Sequence, residues 1–374
     1  MVVVIRKGTA WKYSSLTDLV RVEPRFHLSL APERLGLYPK VTMDLAAEKH
    51  DLIDPYGRVV RDLRISVTDR CNFRCQYCMP AEGMTWLPRN ELLTFEEIER
   101  FARVCVEHFG FDGIRLTGGE PLVRAHLPKL VERLALLGVN VALTTNGATL
   151  RLHAQSLADA GLSRINISLD SLQRDRFLEL TRRDELDRVL DGIDAAIEAG
   201  LAPVKINAVM MRGVNDDEIL DFARFGRERN VFVRFIEFMP LEAGDVWNDK
   251  VVVPADEIIE TLRAEFDLEP IVRGSEPAER WKYADNSAEI GVIASVTKPF
   301  CATCDRVRLT AEGQFRTCLF AIDEFDMRAV IRREPNDAAL IEEIERAVGT
   351  KWAGHSIGQV NFIRPKRTMS QIGG

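Results

Sequence analysis

The chain has no apolar run approaching the roughly 18 residues that a membrane-spanning helix needs. No secretory apolar stretch follows Met1 either. Both absences point to a soluble protein of the cytoplasm. Positive charge is not in excess. A formal net charge of −7 gives no reason to expect a nucleic-acid surface, so a charged ligand would have to be recognised locally, inside a site. Cysteine is scarce: seven in 374 residues do not make a disulfide scaffold. All but Cys105 fall into two short groups with ligand-like spacing, which fits metal and a reducing compartment. Length suggests two to three domains, and 46% hydrophobic content is ample for a sizeable core.

From Met1 to Thr42 clear periodicity is missing. The stretch is mildly basic, with Arg6, Lys7, Lys12, Arg21, Arg25, Arg34 and Lys40 against Asp18, Glu23 and Glu33. An organellar presequence would account for it. A true start at Met43 is the simpler reading, and the stretch is expected to be peripheral and poorly ordered. Residues 1–57 are set apart on this basis as an N-terminal extension.

What is present begins at residue 62. Six short β-like runs alternate with helical segments: Leu63–Thr68, Gly113–Thr117, Val141–Thr145, Arg164–Leu169, Val204–Met210 and Phe232–Phe238. Thr94 and Glu97 form a capping box, and Ile98, Phe101, Ala102, Cys105 and Phe109 follow at helical spacing, so Cys105 belongs to the core. Further helices fit Leu127–Leu137, Arg151–Ala160, Leu186–Ala199 and Asp216–Arg227. A βα series of this kind implies a parallel sheet with right-handed crossovers.

Parity distinguishes an open sheet from a barrel. Strands covered on both faces read as continuous apolar runs, and these do not. Leu63, Ile65 and Val67 alternate with Arg64, Ser66 and Thr68; Ile114 and Leu116 alternate with Arg115 and Thr117. Thr144, Asn166, Ser168, Lys205, Asn207 and Arg234 stand on the matching parity of the later runs. Residues two apart share a face, so one face is apolar and one polar. A polar face carrying Arg64, Arg115, Lys205 and Arg234 suits a wet lumen. The expected fold is α/β: an incomplete (βα)6 TIM-type barrel over 58–240, followed by a smaller α+β C-terminal domain over 241–374.

Cys71-x3-Cys75-x2-Cys78 directly follows the first run, where βα barrels build their sites. Three thiolates leave one iron of a four-iron cluster open to an exogenous ligand. Zinc is the competing reading, but structural zinc sites favour four protein ligands, and no fourth Cys or His lies nearby. Cys301-x2-Cys304-x13-Cys318 supplies a second trio, for which a zinc knuckle is the alternative. Arg306 and Arg308 follow Cys304 on one face of a strand. With the barrel cations they would converge on a cavity suited to a polyphosphate, since arginine forks match phosphate oxygens.

The string Cys71-Asn72-Phe73-Arg74-Cys75-Gln76-Tyr77-Cys78 resembles the signature of the radical S-adenosylmethionine superfamily. That resemblance implies a [4Fe–4S] cluster whose open iron is chelated by the methionine amino and carboxylate groups of S-adenosylmethionine. One-electron reduction then yields a 5′-deoxyadenosyl radical. It places Tyr77 near the adenine and Gly119, within Gly118-Gly119-Glu120-Pro121, at the methionine amino group. Ser168 and Met239 match further cofactor contacts.

Over residues 58–374 the sequence resembles the GTP 3′,8-cyclase family of molybdenum cofactor biosynthesis. The strings Arg61-Asp62-Leu63-Arg64-Ile65-Ser66-Val67-Thr68-Asp69-Arg70, Arg234-Phe235-Ile236-Glu237-Phe238-Met239 and the terminal Gly373-Gly374 carry the match. It implies that the radical takes hydrogen from ribose C3′ of GTP and that C3′ then joins guanine C8. A second [4Fe–4S] cluster, on Cys301, Cys304 and Cys318, would hold the guanine base. Arg64, Arg115, Thr144, Lys205, Arg234, Arg306 and Arg308 match GTP-contacting positions; parity favours Thr144 over Thr145. The Gly373-Gly374 tail would thread into the site beside the catalytic Arg64, Arg306 and Arg308. Implied partners are a one-electron donor such as flavodoxin or ferredoxin, cyclic pyranopterin monophosphate synthase as recipient of the product, and a second copy of the chain in a homodimer. Two rivals make different demands. A peptide-modifying two-cluster enzyme needs an acidic or apolar groove, and an electron carrier needs fully ligated clusters.

Overall fold

A computed structural model of the protein describes residues 49–374 except 81, 242–246, 275, 361 and 374. The expectations for residues 1–48 and for Gly374 lie outside the described residues. Within the segment assigned to the extension, residues 49–57 are folded: Leu52 is buried, its carbonyl accepts from Val60 N, and His50 N donates to His108 O.

The βα series is realised as β1 (Asp62–Ser66), β2 (Gly113–Thr117), β3 (Asn140–Thr145), β4 (Arg164–Ser168), β5 (Val204–Met210) and β6 (Phe232–Glu237). They pair in sequence order, all parallel. The chain after β6 adds strands to both edges of this sheet. On one side β9 (Glu289–Ile293) pairs parallel with β6, followed by β8 (Glu279–Tyr283) and β7 (Leu268–Ile271), both antiparallel. On the other, β10 (Arg306–Leu309) pairs parallel with β1, followed by antiparallel β11 (Gln314–Arg316) and β12 (Phe325–Asp326). The twelve-stranded order is β12-β11-β10-β1-β2-β3-β4-β5-β6-β9-β8-β7. The second cysteine group thus stands at the N-terminal end of β10, next to β1 but at the opposite end of the strands from the first group.

Helices cover one face. Leu63 and Ile65, Ile114 and Leu116, Val141 and Leu143, Ile165 and Ile167, Val204 and Ile206, and Val233 and Phe235 are all buried in one core with Phe101, Leu130, Leu157, Val189, Ile193 and Phe222 from the helices. Each such side chain contributes about 1.5–3 kcal/mol by leaving water. Thr94 and Glu97 cap the helix Phe95–Glu107 reciprocally, and Cys105 is fully buried on its inner stripe. Within the βα series one helix, Arg174–Thr181, lies outside the expected helical segments. Its polar composition hides it, since little beyond Phe177 and Leu180 marks an inward stripe.

Candidate active site

The register puts the polar parity on one face. Arg308 of β10 faces Arg64 of β1, Arg64 faces Arg115 of β2, Arg115 faces Ala142 of β3, and Ala142 faces Arg164 of β4. One rung toward the strand C-termini, Thr144, Asn166 and Lys205 are level, and Asn207 stands against Arg234. Arg306, Asp62 and Gly113 occupy the rung below. Ladder partners and residues two apart share a face, so all these side chains share one surface.

That surface is short of negative charge. Arg64 has one weak carboxylate partner, Asp62 at 3.6 Å. Arg234 donates to Asn207 Oδ1 at 2.9 Å, and Lys205 sits over the Phe232 ring at 5.3 Å. Among the described residues Arg115 and Arg164 have no hydrogen-bond or ion-pair partner, and buried nitrogens of both are unsatisfied. Burial and repulsion from neighbouring cations weaken the hold of Arg115, Arg234, Lys205 and Arg308 on their protons. Burial and the neighbouring Arg64 push Arg115 down to about 10, burial and Arg115 push Arg234 down to about 9, and burial and Arg234 push Lys205 down to about 8. Arg308 is lowered by burial, then by Arg64 and Arg306. Buried cations left without anions are costly. The arrangement is built to receive a polyanion. Thr144 Oγ1 faces this surface and accepts from Asn166, whereas Thr145 is buried behind it, donating to Glu120 at 2.7 Å.

Arg164 was not among the sequence candidates. Parity alone places it inward, two residues before Asn166, but its position at the start of the run disguises it as a strand-end residue.

The first cysteine loop sits at the C-terminal end of β1. Cys78 N and Met79 N turn back onto Cys75 O at 2.9 and 3.1 Å, and Phe73 N points at Cys71 Sγ at 3.4 Å. The unexpected helix holds the loop: Arg74 N and Gln76 N donate to Thr181 O and Leu180 O at 3.1 and 2.9 Å. Arg182 and Arg183 bind the carbonyls of Arg74 and Asn72, each at 3.0 Å. Gly118 and Gly119 let β2 press against the approach to this loop. A Cβ on Gly118, at φ +150°, would lie 2.4 Å from Thr68 O, and one on Gly119 would lie 2.4 Å from Arg70 O. Only glycine fits both positions. Glu120 then turns inward, accepting from Leu122 N, Asn146 N and Thr145 Oγ1 at 2.9, 2.7 and 2.7 Å, with burial raising its carboxyl to about 7. Tyr77 donates to Asp170, which also accepts from Val209 N at 2.8 Å. Ser168 ends β4 half-buried, and half-buried Met239 follows β6 against Leu241 and Phe320.

The second trio is fixed by two buried cations. Arg58, paired with Asp54, donates to Cys301 O at 2.6 Å and to Trp352 O and Ala353 O at 2.5 and 2.8 Å. Lys351 donates to Arg306 O at 2.8 Å and Thr317 O at 2.5 Å, tying together the strand ends that carry Cys304 and Cys318. Burial opposes ionisation of Cys304, but Arg306, whose Nη2 is 3.2 Å from its sulfur, and Lys351 hold its thiol below the ordinary value. Cys71, by contrast, is pushed up to about 12 by burial and Glu120.

Each trio converges, for the charges within it act on one another. Three thiolates in each group fit a four-iron cube, which takes one thiolate per iron, with one corner left over.

The C-terminus joins the two loops. In the short helix Met369–Ile372, Ser370 hydrogen-bonds to Cys78, and Gly373, buried at φ +83°, offers its carbonyl to Arg308 Nη1. A Cβ there would stand 3.0 Å from Ser66 Cβ and Thr117 Cγ2.

Comparison with known proteins agrees with this geometry. The chain matches the Radical SAM superfamily over residues 65–226 and the family Molybdenum Cofactor Synthesis C over residues 231–357. SuiB of Streptococcus suis bound to S-adenosylmethionine shares the fold, with a TM-score of 0.53 at 14% identity over 78% of this chain and 69% of that one. The molecule has the fold and cysteine loop of a radical S-adenosylmethionine enzyme. A GTP 3′,8-cyclase of Streptomyces coelicolor is 49% identical over 330 residues, 87% of this chain and 97% of that protein. One of Corynebacterium glutamicum is 43% identical over 94% of this chain and 99% of that protein. The chain belongs to the GTP 3′,8-cyclase family.

Proposed function

We infer that the chain cyclises GTP to (8S)-3′,8-cyclo-7,8-dihydroguanosine 5′-triphosphate, the first step of molybdenum cofactor biosynthesis. The observation that carries this reading is the row of cations short of carboxylate partners on the face between the two cysteine loops. Cys71, Cys75 and Cys78 hold one [4Fe–4S] cluster and Cys301, Cys304 and Cys318 the other. When bound, the first cluster with S-adenosylmethionine supplies a 5′-deoxyadenosyl radical, and the second an open iron for the base.

The remaining work falls to side chains. Arg64, Arg115, Lys205, Arg234, Arg306 and Arg308 neutralise and orient the triphosphate ester, and Thr144 offers a hydroxyl at the same level. Tyr77, Gly119, Ser168 and Met239 line the place of S-adenosylmethionine at the strand C-termini. Arg64, Arg306 and Arg308 with Gly373 and Gly374 close the reacting end. Buried Gly373 supports that role, because a plug of backbone without side chains excludes water while leaving room for the substrate.

The sheet serves as an incomplete barrel over 58–240, with 241–374 forming the second cluster-bearing domain. Among the described residues no helix is long and apolar enough to cross a membrane, in keeping with work in the cytoplasm. The partners are a flavodoxin or ferredoxin as electron donor, cyclic pyranopterin monophosphate synthase as recipient of the product, and a second copy of the chain. Anaerobic reconstitution followed by dithionite, S-adenosylmethionine and GTP tests the reading. It predicts 5′-deoxyadenosine and a cyclised triphosphate together; cleavage of S-adenosylmethionine with GTP recovered unchanged would refute it.

A further inference from the structure

We propose that residues 351–355 form the cradle of the second cluster, and that Lys351 is its counter-charge, raising its reduction potential. The proposal rests on the reading of Cys301, Cys304 and Cys318 as cluster ligands and adds a segment that lies outside the cysteine motif.

Three observations converge. First, Lys351 stands where two strands part. The antiparallel ladder of β10 and β11 pairs Leu309 with Phe315 and Arg308 with Arg316, so its continuation would set Arg306 opposite Cys318. The ladder stops short of that pair. Lys351 Nζ instead takes the carbonyls of Arg306 and Thr317, at 2.8 and 2.5 Å, between the segments that lead to Cys304 and Cys318. Second, the ammonium has no carboxylate partner among the described residues, although Lys351 is only 3% exposed. Arg58 and Arg306 repel it, and the anions that act on it are the Cys304 and Cys318 thiolates. A buried cation needs a paired anion, and here the thiolates and the cluster they hold supply it. Third, the rest of the segment closes on Cys301. A Cβ on Gly354 would stand 2.9 Å from Cys301 Cβ and 3.2 Å from its sulfur. The backbone N–H of His355 donates to that sulfur, and Arg58 ties together the carbonyls of Cys301, Trp352 and Ala353. One short stretch thus reaches all three cysteines. A nearby positive charge and N–H donors to sulfur favour the reduced, more negative cluster.

The test is a redox titration followed by electron paramagnetic resonance, on the full-length chain reconstituted anaerobically. In a Cys75→Ala background the second cluster is the one that remains, at about four irons per chain. Lys351→Gln keeps donors for the two carbonyls and removes the charge. It should shift the reduction equilibrium about tenfold toward the oxidised cluster, which is about 59 mV for one electron. Lys351→Arg, which keeps the charge, should hold the parent potential. Gly354→Ala should lower the bound iron, because its methyl group meets Cys301. A Lys351→Gln chain with full iron and the parent potential would overturn the proposal, as would full iron in Gly354→Ala. Loss of the cluster from Lys351→Gln and Lys351→Arg alike would also overturn it, whereas loss from Lys351→Gln alone would support it. A Cys75→Ala chain that binds no iron would overturn the cluster reading itself.

Discussion

Arg308 donates from Nη1 to the carbonyl oxygen of Gly373, so the penultimate residue of the chain is bound to an arginine of the cation row. Register joins that arginine to Arg64, and Ser370 three residues earlier touches Cys78. The tail is thereby part of the site. Removing Gly373 and Gly374 should lower formation of the cyclised product by about 100-fold or more, the scale for losing a preorganised contact, while S-adenosylmethionine cleavage persists. Gly373→Ala should act in the same direction, because its φ of +83° and the 3.0 Å approach to Ser66 and Thr117 leave no room for a methyl group. Chromatographic measurement of both products in one reaction checks the split. Full cyclisation by the truncated enzyme would remove the tail from the mechanism.

The lowered Lys205 predicts a pH dependence. Burial and then Arg234 bring its ammonium down to about 8, so the free site loses this charge as pH rises through that value. A bound triphosphate restores the charge, and binding above pH 8 must therefore take up a proton. Affinity for GTP should fall by about tenfold between pH 7 and 9. Lys205→Arg, whose guanidinium ionises far higher, should flatten the profile. Titration in buffers of different ionisation enthalpy counts the protons directly.

The two threonines that end β3 should separate cleanly. Thr145→Val leaves the buried Glu120 short of a donor and should cost about 1–3 kcal/mol in urea denaturation. Thr144→Val should leave stability within about 0.5 kcal/mol, yet raise the Kd for GTP. The opposite pattern would move the substrate contact to Thr145.

The cysteine groups should fail independently. Cys304→Ala should reduce iron from about eight to about four per chain, abolish the cyclised product and leave some 5′-deoxyadenosine. Cys75→Ala should abolish both products. Iron analysis with the paired product assay distinguishes them.

Much of this was legible in the sequence because it is local. β2 and β5 end where their alternation ends, and the polar parity of Arg64, Arg115, Thr144, Lys205 and Arg234 survives into the register. The cysteine spacings were equally plain. What stayed hidden depends on contacts far apart in the chain. Arg58 reaches Cys301 across 243 positions, and Lys351 is an unremarkable lysine until it is seen between Arg306 and Thr317. The helix Arg174–Thr181 holds the cysteine loop through hydrogen bonds to Arg74 N and Gln76 N that its own residue pattern does not announce. Nor does alternation reveal that β10 lies beside β1, the pairing that sets Arg306 and Arg308 level with Asp62 and Arg64 and puts the two cysteine groups at opposite ends of one pair of strands.

The claim beneath all of this is that one substrate spans the two loops with its ribose at the first. GTP deuterated at C3′, incubated anaerobically with the reconstituted enzyme, dithionite and S-adenosylmethionine, tests it most directly. The account predicts that deuterium appears in 5′-deoxyadenosine, alongside the cyclised triphosphate. Unlabelled 5′-deoxyadenosine, with the deuterium still on the nucleotide, would contradict it.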